Sequence, residues 1–348
     1  MNWAGSNNIN GGVTIDLGFL NSTQYDPDTQ TARLGPGAKW KDVYAELEKH
    51  GRTVVGAREA ECGVGGFLLG GGNTFHTPRH GFACDNVLTY EVVLSDGRIV
   101  TADEGGEHKD LFRCLKGGGN NFGIVTSFQI GTIPSAPVWG GLALRPLDVF
   151  PAAADALVDF TATSAKDPDS NLQLVVGHQP SNVWFTLTFK NDASIIKKAA
   201  ELHEKLAKEL QGKIPDEEFT SHVSFQPIPR LFVERSLAVN PSGNVLGLEQ
   251  NKHDAILIQA SASVRTPELE EWVRPKVRAV VEGTRAFAAT IDDGVVPWIY
   301  LNYAHPSQDI LQSYGPNNVR LIGETASRYD PEGIFQHLCP GGFKLPFE

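Results

Sequence analysis

The chain has 348 residues, with 41 acidic against 30 basic side chains, a formal net charge of -11, and 41% hydrophobic residues. That length and composition describe a folded protein with room for two domains rather than a disordered chain. The acidic balance argues against a nucleic-acid backbone as partner, and no apolar run is long enough to cross a bilayer.

The N-terminal stretch MNWAGSNNINGGVTID has neither the basic n-region nor the apolar core of a signal peptide. Alternation at Val13, Ile15 and Leu17 predicts a short strand, and TARLGPG ends in a Gly-Pro-Gly breaker. Trp40, Val43, Tyr44 and Leu47 share one face of a predicted helix closed by Gly51. Gly63 to Gly72, GVGGFLLGGG, then places six glycines in ten residues. Glycine weakens helix and strand alike, so this density marks backbone that turns with positive φ or lies against something. The stretch lacks the third glycine of a GxGxxG fingerprint, where Leu68 stands. Neither it nor the second cluster, Gly117 to Gly119, carries the Gly-Lys-Ser/Thr of a P-loop. Tight strand packing and a ligand-facing backbone both stay open, and two clusters beside β-rich segments favour the ligand.

Asp96-Gly97 between two β-rich runs predicts a hairpin. DLFRCLKGGGNNFGIVTSFQI reads as a short helix, a glycine loop and a strand from Phe122 to Ile130. Prolines and glycines in GTIPSAPVWGG mark a domain boundary near Pro134. From residue 135 to 297 the pattern is α+β. PAAADALVDFTATSA and ASIIKKAAELHEKLAKELQG read as amphipathic helices, and NLQLVVGHQ, VWFTLTFK and DAILIQASASV as strands. A further helix, TPELEEWVRPKVRAVVEGTRAF, is expected to break near Pro275. In the aromatic tail, strand alternation in YLNYAHP would set Tyr300 and Asn302 on one face, Leu301 and Tyr303 on the other. Cys62, Cys84, Cys114 and Cys339 show no metal-ligand spacing and read as buried thiols; no metal site is expected. His76, His80 and His305 read as loop residues, and Trp184, Phe225 and Phe232 as core.

Seven segments in order resemble one family: GGVTIDLGFLN, ARLGPGAKWKDVYAELEKHG, GVGGFLLGGG, GFACDNVLTYEVVLSDGRIV, DLFRCLKGGGNNFGIVTSF, WIYLNYAHP and YDPEGIFQHLCPGGFKL. Together they resemble the berberine-bridge-enzyme-like branch of the FAD-linked oxidases. The resemblance implies an α+β protein whose PCMH-type FAD-binding domain comes from residues 1–134 and 298–348, with a central α+β substrate domain over residues 135–297. It implies FAD held by the backbone at Gly63, Gly65, Gly66, Gly70, Gly71 and Gly72, with Gly81 beyond them. Ile124 and Val125 would line the cofactor and Asn302 would face its ring system. It also implies a small-molecule substrate (an alcohol, sugar or secondary metabolite), hydride transfer to flavin, dioxygen as acceptor, and Tyr303 as base. Without the resemblance, Tyr303 reads as a half-buried aromatic with a satisfied hydroxyl.

Two departures from the family pattern bear on the cofactor. Family members carry an arginine-, glycine- and histidine-rich cofactor loop just before the segment matching AGSNNINGGVTID. This chain starts four residues before Gly5, so it reads as shortened at its N-terminus, with FAD expected to bind weakly and without a covalent bond. A longer parent could carry a secretion signal. Glu59 stands where bicovalent members have a cysteine, and Cys62, three residues later, is given no covalent role. Two functions follow: an FAD-dependent oxidoreductase, or a flavin-less homologue kept as a binding or non-redox scaffold.

Overall fold

The computed structural model describes residues 6–177, 183–339 and 341–345. The chain divides into two compact units. The N-terminal unit holds Asn2–Gly140, Phe232–Leu248 and Leu311–Glu348; the middle unit holds Gly141–Leu231 and Glu249–Ile310. Phe232–Leu248 thus lies with the N-terminal unit and Trp298–Ile310 with the middle one.

The N-terminal unit is built on an antiparallel sheet of β1 (Thr23–Asp26), β2 (Thr31–Leu34), β3 (Arg52–Val54), β4 (Val87–Val93), β5 (Ile99–Asp103) and β6 (Ile124–Pro134). Its order is β1-β2-β6-β4-β5, with β3 paired to the end of β6. The β4–β5 hairpin turns through Gly97 at φ 83°, as the Asp-Gly pair predicts. Ala32, Leu34, Tyr90, Val92, Phe128 and Ile130 are buried on one face, and Arg33, Glu91, Ser127 and Gln129 alternate onto the other. Helices α1 (Trp40–Glu48), α2 (Val64–Leu69) and α3 (Lys109–Leu115) belong to this unit, and Phe112 of α3 meets Tyr90 edge-on at 5.8 Å. The strand expected at Val13–Leu17 is absent. No ladder runs beside these residues and Val13 is 87% exposed; alternation without a partner strand does not hold an extended segment in a sheet.

The middle unit pairs β7 (Leu174–Gly177), β8 (Val183–Lys190), β9 (Phe219–Ile228), β10 (Ala255–Val264) and β11 (Val295–Val296) in the order β11-β8-β10-β9-β7, all antiparallel. His178 and Gln179, the end of the strand expected at β7, lie outside the described residues. Phe185, Leu187, Phe189, Val223, Phe225, Ile256 and Ile258 enter a core shared with helices α4 (Phe150–Thr163), α5 (Ala193–Gln211) and α6 (Pro267–Ala288). Pro275 does not break α6, contrary to the sequence expectation. It stands on the exposed face between buried Val273 and Val277, where water can take the carbonyl that its missing N–H leaves open.

Helix α7 (Pro316–Tyr329) returns to the N-terminal unit, where Tyr329 Oη donates to Asp110 Oδ1 on α3 at 2.8 Å. Cys84 and Cys114 are buried, whereas Cys62 and Cys339 are only partly so, a correction to the reading of all four as buried thiols. Among the described residues no helix is long and apolar enough to cross a membrane, and no cluster of side chains could hold a metal ion.

Candidate cofactor and substrate sites

The glycines of Gly63–Gly72 divide into two kinds. A Cβ on Gly63 or on Gly66 would meet no heavy atom within 4 Å, so both present bare, exposed backbone to open space. The later ones serve packing. Gly71 (φ 104°) and Gly72 (φ 82°) occupy backbone that side chains rarely adopt. A Cβ on Gly72 would come within 2.7 Å of Ala83 Cβ, and one on Gly71 within 3.1 Å of Leu246. Gly65 is buried against Pro36 and Gly70 ends α2, while a Cβ on Gly81 would reach Ser236 Cα at 2.8 Å. In the second cluster, Gly117 (φ 114°) closes on Leu246 from another direction, with 2.6 Å to its Cδ2. Val125 is buried opposite Val92 on the core face, and Ile124, opposite Val93, is half-buried at the start of β6.

Behind these loops lies a charged pair that the sequence did not single out. Lys116 is fully buried. Its Nζ donates to the carbonyl oxygens of Cys84 (2.9 Å), Asp85 (3.3 Å) and Val87 (2.7 Å) and lies 4.2 Å from the Phe112 ring centroid. Burial pushes its pKa down to about 8, opposed by the neighbouring Asp85 charge. Asp85, also buried, accepts from Phe82 N (2.9 Å) and Ser236 Oγ (2.5 Å) on Oδ2, and from Asn244 Nδ2 (2.8 Å) and Asn240 Nδ2 (3.3 Å) on Oδ1. The carboxylate thereby fastens Phe232–Leu248 to the turn after the first glycine cluster. A lysine following Phe-Arg-Cys-Leu carries no pattern that would have predicted full burial.

In the middle unit, the sheet face opposite the helices is polar yet buried. Trp184, Thr186 and Thr188 on β8, Gln259 and Ser261 on β10, and Ser224 and Gln226 on β9 share it by alternation. Register sets Gln259 opposite both Thr186 and Ser224, and Leu257 opposite both Thr188 and Gln226. Thr186 Oγ1 donates to Ile258 O at 2.7 Å, but Thr188 Oγ1 and Ser224 Oγ have no hydrogen-bond partner. Buried hydroxyls of this kind are uncommon in folded proteins. The alternating polar residues of TSHVSFQPI are the signal by which Gln226 could have been found.

YLNYAHP is not a strand. Leu301–Tyr303 forms one turn of 3-10 helix, in which Tyr303 N donates to Tyr300 O at 3.0 Å. With bonds made locally instead of to a neighbouring strand, the period is three, which brings Tyr300 and Tyr303 together rather than apart. Their rings meet edge to face at 4.9 Å. Asn302 Nδ2 donates to Tyr300 Oη (3.1 Å), and Gln226 Nε2 donates to Tyr303 Oη (3.3 Å). His305 goes elsewhere: its ring stacks on Phe185, a core residue, at 4.2 Å. Burial, aided by the Arg274 and Arg278 charges, holds its pKa down at about 4, so it is neutral at pH 7. Trp184 donates from Nε1 to Ala304 O at 3.4 Å, and Phe232 packs edge-on to Phe82 at 6.1 Å.

A family model described as an FAD binding domain matches residues 1–103. The FAD-dependent monooxygenase drtC of Aspergillus calidoustus is 31% identical over 98% of this chain and 75% of that protein. The FAD-dependent monooxygenase sdcF of Emericella nidulans is 32% identical over 98% of this chain and 82% of its own length. Among solved structures, xylooligosaccharide oxidase from Myceliophthora thermophila superposes with a TM-score of 0.72 at 18% identity, covering 96% of this chain and 82% of that one. The 6-hydroxy-D-nicotine oxidase of Arthrobacter nicotinovorans does so with the same score and identity over 98% and 84%. These structures share the PCMH-type α+β fold, and the open backbone at Gly63 and Gly66 fits a cofactor lying against it. The chain belongs to the FAD-dependent oxidoreductases that carry this FAD binding domain, and its cofactor is FAD.

Proposed function

We propose that the chain is an oxidase of the berberine-bridge-enzyme-like branch, acting on a small alcohol, sugar or secondary metabolite with dioxygen as final acceptor. On this reading the N-terminal unit is the FAD-binding domain and the middle unit the substrate domain. FAD, when bound, supplies the two-electron acceptor. The substrate carbon loses a hydride and its oxygen or nitrogen loses a proton, and dioxygen leaves as hydrogen peroxide with both electrons. Gly63 and Gly66 offer the cofactor bare backbone, Ile124 and Val125 an apolar edge, and Asn302 a polar side chain. Tyr303, acting in its phenolate form, takes the substrate's proton, and the buried hydroxyls of Thr188 and Ser224 offer hydrogen bonds to the substrate's polar groups.

The observation that supports the base is the fixing of Tyr303: Gln226 holds its Oη and Tyr300 braces its ring. A proton acceptor works from a set position, and this phenol has one. The curated relatives are named monooxygenases, and the two chemistries differ in where oxygen goes. Turnover under 18O2 separates them: an oxidase leaves the label in peroxide, a monooxygenase transfers one labelled atom to product. Tyr303→Phe, which deletes only the hydroxyl, is expected to slow flavin reduction about 10²–10⁴-fold. Near-normal reduction by that variant would remove Tyr303 from the mechanism.

A further inference from the structure

We propose that Lys116 is the positioning residue of the cofactor wall: a buried cation that touches no cofactor atom yet sets the backbone against which FAD lies. The proposal rests on the reading of Gly63 and Gly66 as that wall. Its basis is a chain of short backbone bonds with Lys116 at the rear. The three carbonyls that Nζ holds, those of Cys84, Asp85 and Val87, belong to one turn. From the same turn Ala83 N donates to Gly72 O and Cys84 N to Gly71 O, each at 2.9 Å. The glycine loop directly after Lys116 reaches the other end of the wall, since Gly119 N donates to Leu69 O at 3.2 Å. Lys116's own carbonyl accepts from Val245 N at 3.2 Å, next to the Leu246 side chain that Gly71 and Gly117 enclose.

The ammonium therefore holds the turn whose N–H groups bond the Gly71 and Gly72 carbonyls at the end of α2, while the main chain of Lys116 and of the glycine loop after it makes the bonds to Val245 and Leu69. The three donors of an ammonium match three carbonyls whose alternatives would be buried and unsatisfied. A methionine of similar length fills the space and supplies none of them. The turn would then lose its hold on the Gly71 and Gly72 carbonyls, and the wall would lose its spacing while the core around it stays apolar. Residues that hold a ligand's contacts in place from behind are commonly worth about 10–100-fold in affinity, as measured for the outer partners of metal ligands.

The test is FAD affinity, read by quenching of flavin fluorescence, for wild type, Lys116→Met and Gly66→Val. Lys116→Met is expected to bind FAD about 10–100-fold more weakly while unfolding as cooperatively as wild type. A folded Lys116→Met with wild-type affinity would overturn the proposal. If Gly66→Val binds FAD normally, the reading of the wall fails instead, which keeps the two failures apart. Should Lys116→Met not fold, amide hydrogen exchange on the wild type decides. FAD is expected to slow exchange at Ala83, Cys84 and Gly119 as well as near Gly66. Protection confined to Gly63–Gly66 would refute the coupling.

Discussion

The same substitution at two glycines should have opposite consequences. Gly66 lies inside α2 with open space where a Cβ would stand, so Gly66→Ala adds a methyl that meets no protein atom. Replacing a helical glycine by alanine is expected to stabilise the fold by about 0.5–1 kcal/mol. If the proposed cofactor wall runs through Gly66, the added methyl should weaken FAD binding; a loss of about tenfold corresponds to about 1.4 kcal/mol. Gly117→Ala meets two obstacles. Its φ of 114° is open in practice to glycine alone, which costs on the order of 1–3 kcal/mol for any other residue. Its Cβ would also lie 2.6 Å from Leu246 Cδ2, an overlap whose relief by shifts of packed neighbours costs about 1–3 kcal/mol more. Urea denaturation of the apoprotein reads both effects as midpoints. Leu246→Ala in the Gly117→Ala background removes the overlap but leaves the φ strain, so the pair should be coupled by about 0.5–3 kcal/mol. Easier unfolding of Gly66→Ala than of wild type, or a Gly117→Ala that costs nothing, would refute the division of the two glycines.

Three further outcomes follow from particular atoms. Thr188→Val, a near-isosteric change at a hydroxyl without a partner, should leave stability unchanged or raise it by about 1 kcal/mol, and raise KM if substrate uses that hydroxyl; a clear loss of stability in the absence of substrate would show a partner after all. Ser224→Ala should behave in the same way, and the free energies of the two rises in KM should add if the contacts are independent. For Lys116, the pKa of about 8 in the folded chain against 10.5 in the unfolded one fixes the sign of a pH effect. Between those values the unfolded chain binds more protons, so stability should rise with pH, by at most about 3 kcal/mol, and the wild-type curve minus that of Lys116→Met isolates it; a falling difference would refute the assignment.

Much of the fold was legible because its signals are local. The Asp-Gly hairpin, the amphipathic α1 and α5, and the period-two runs of β8 and β10 each lie within about a dozen residues, and each formed as the pattern predicts. The failures are places where something other than the local pattern of side chains decides. Val13–Leu17 alternates like a strand but has no ladder beside it; Pro275 sits in a helix whose buried Val273 and Val277 hold it in place; Tyr300–Tyr303 makes its backbone bonds within its own turn. The presence of two glycine clusters was visible in the sequence, and their division of labour was not. Gly66 and Gly117 are the same letter in similar company, and only Leu246, more than a hundred residues further on, shows that one makes room for protein and the other does not.

That division changes what the cluster can be said to do. Gly63 and Gly66 present bare backbone to open space, as the proposed cofactor wall requires; the remaining glycines let two loops and a return segment close into a single layer. Such a layer could have been closed by apolar packing alone, as it is around Leu246. It also contains a buried carboxylate and a buried ammonium, a costly choice because both charges lose their hydration. What they provide and apolar contacts cannot is direction: Asp85 accepts four hydrogen bonds from N–H and O–H donors and Lys116 donates three. A layer set by directed bonds cannot slide as packed side chains can, and on the proposed reading it is this fixed spacing that a flavin lying against the wall would use.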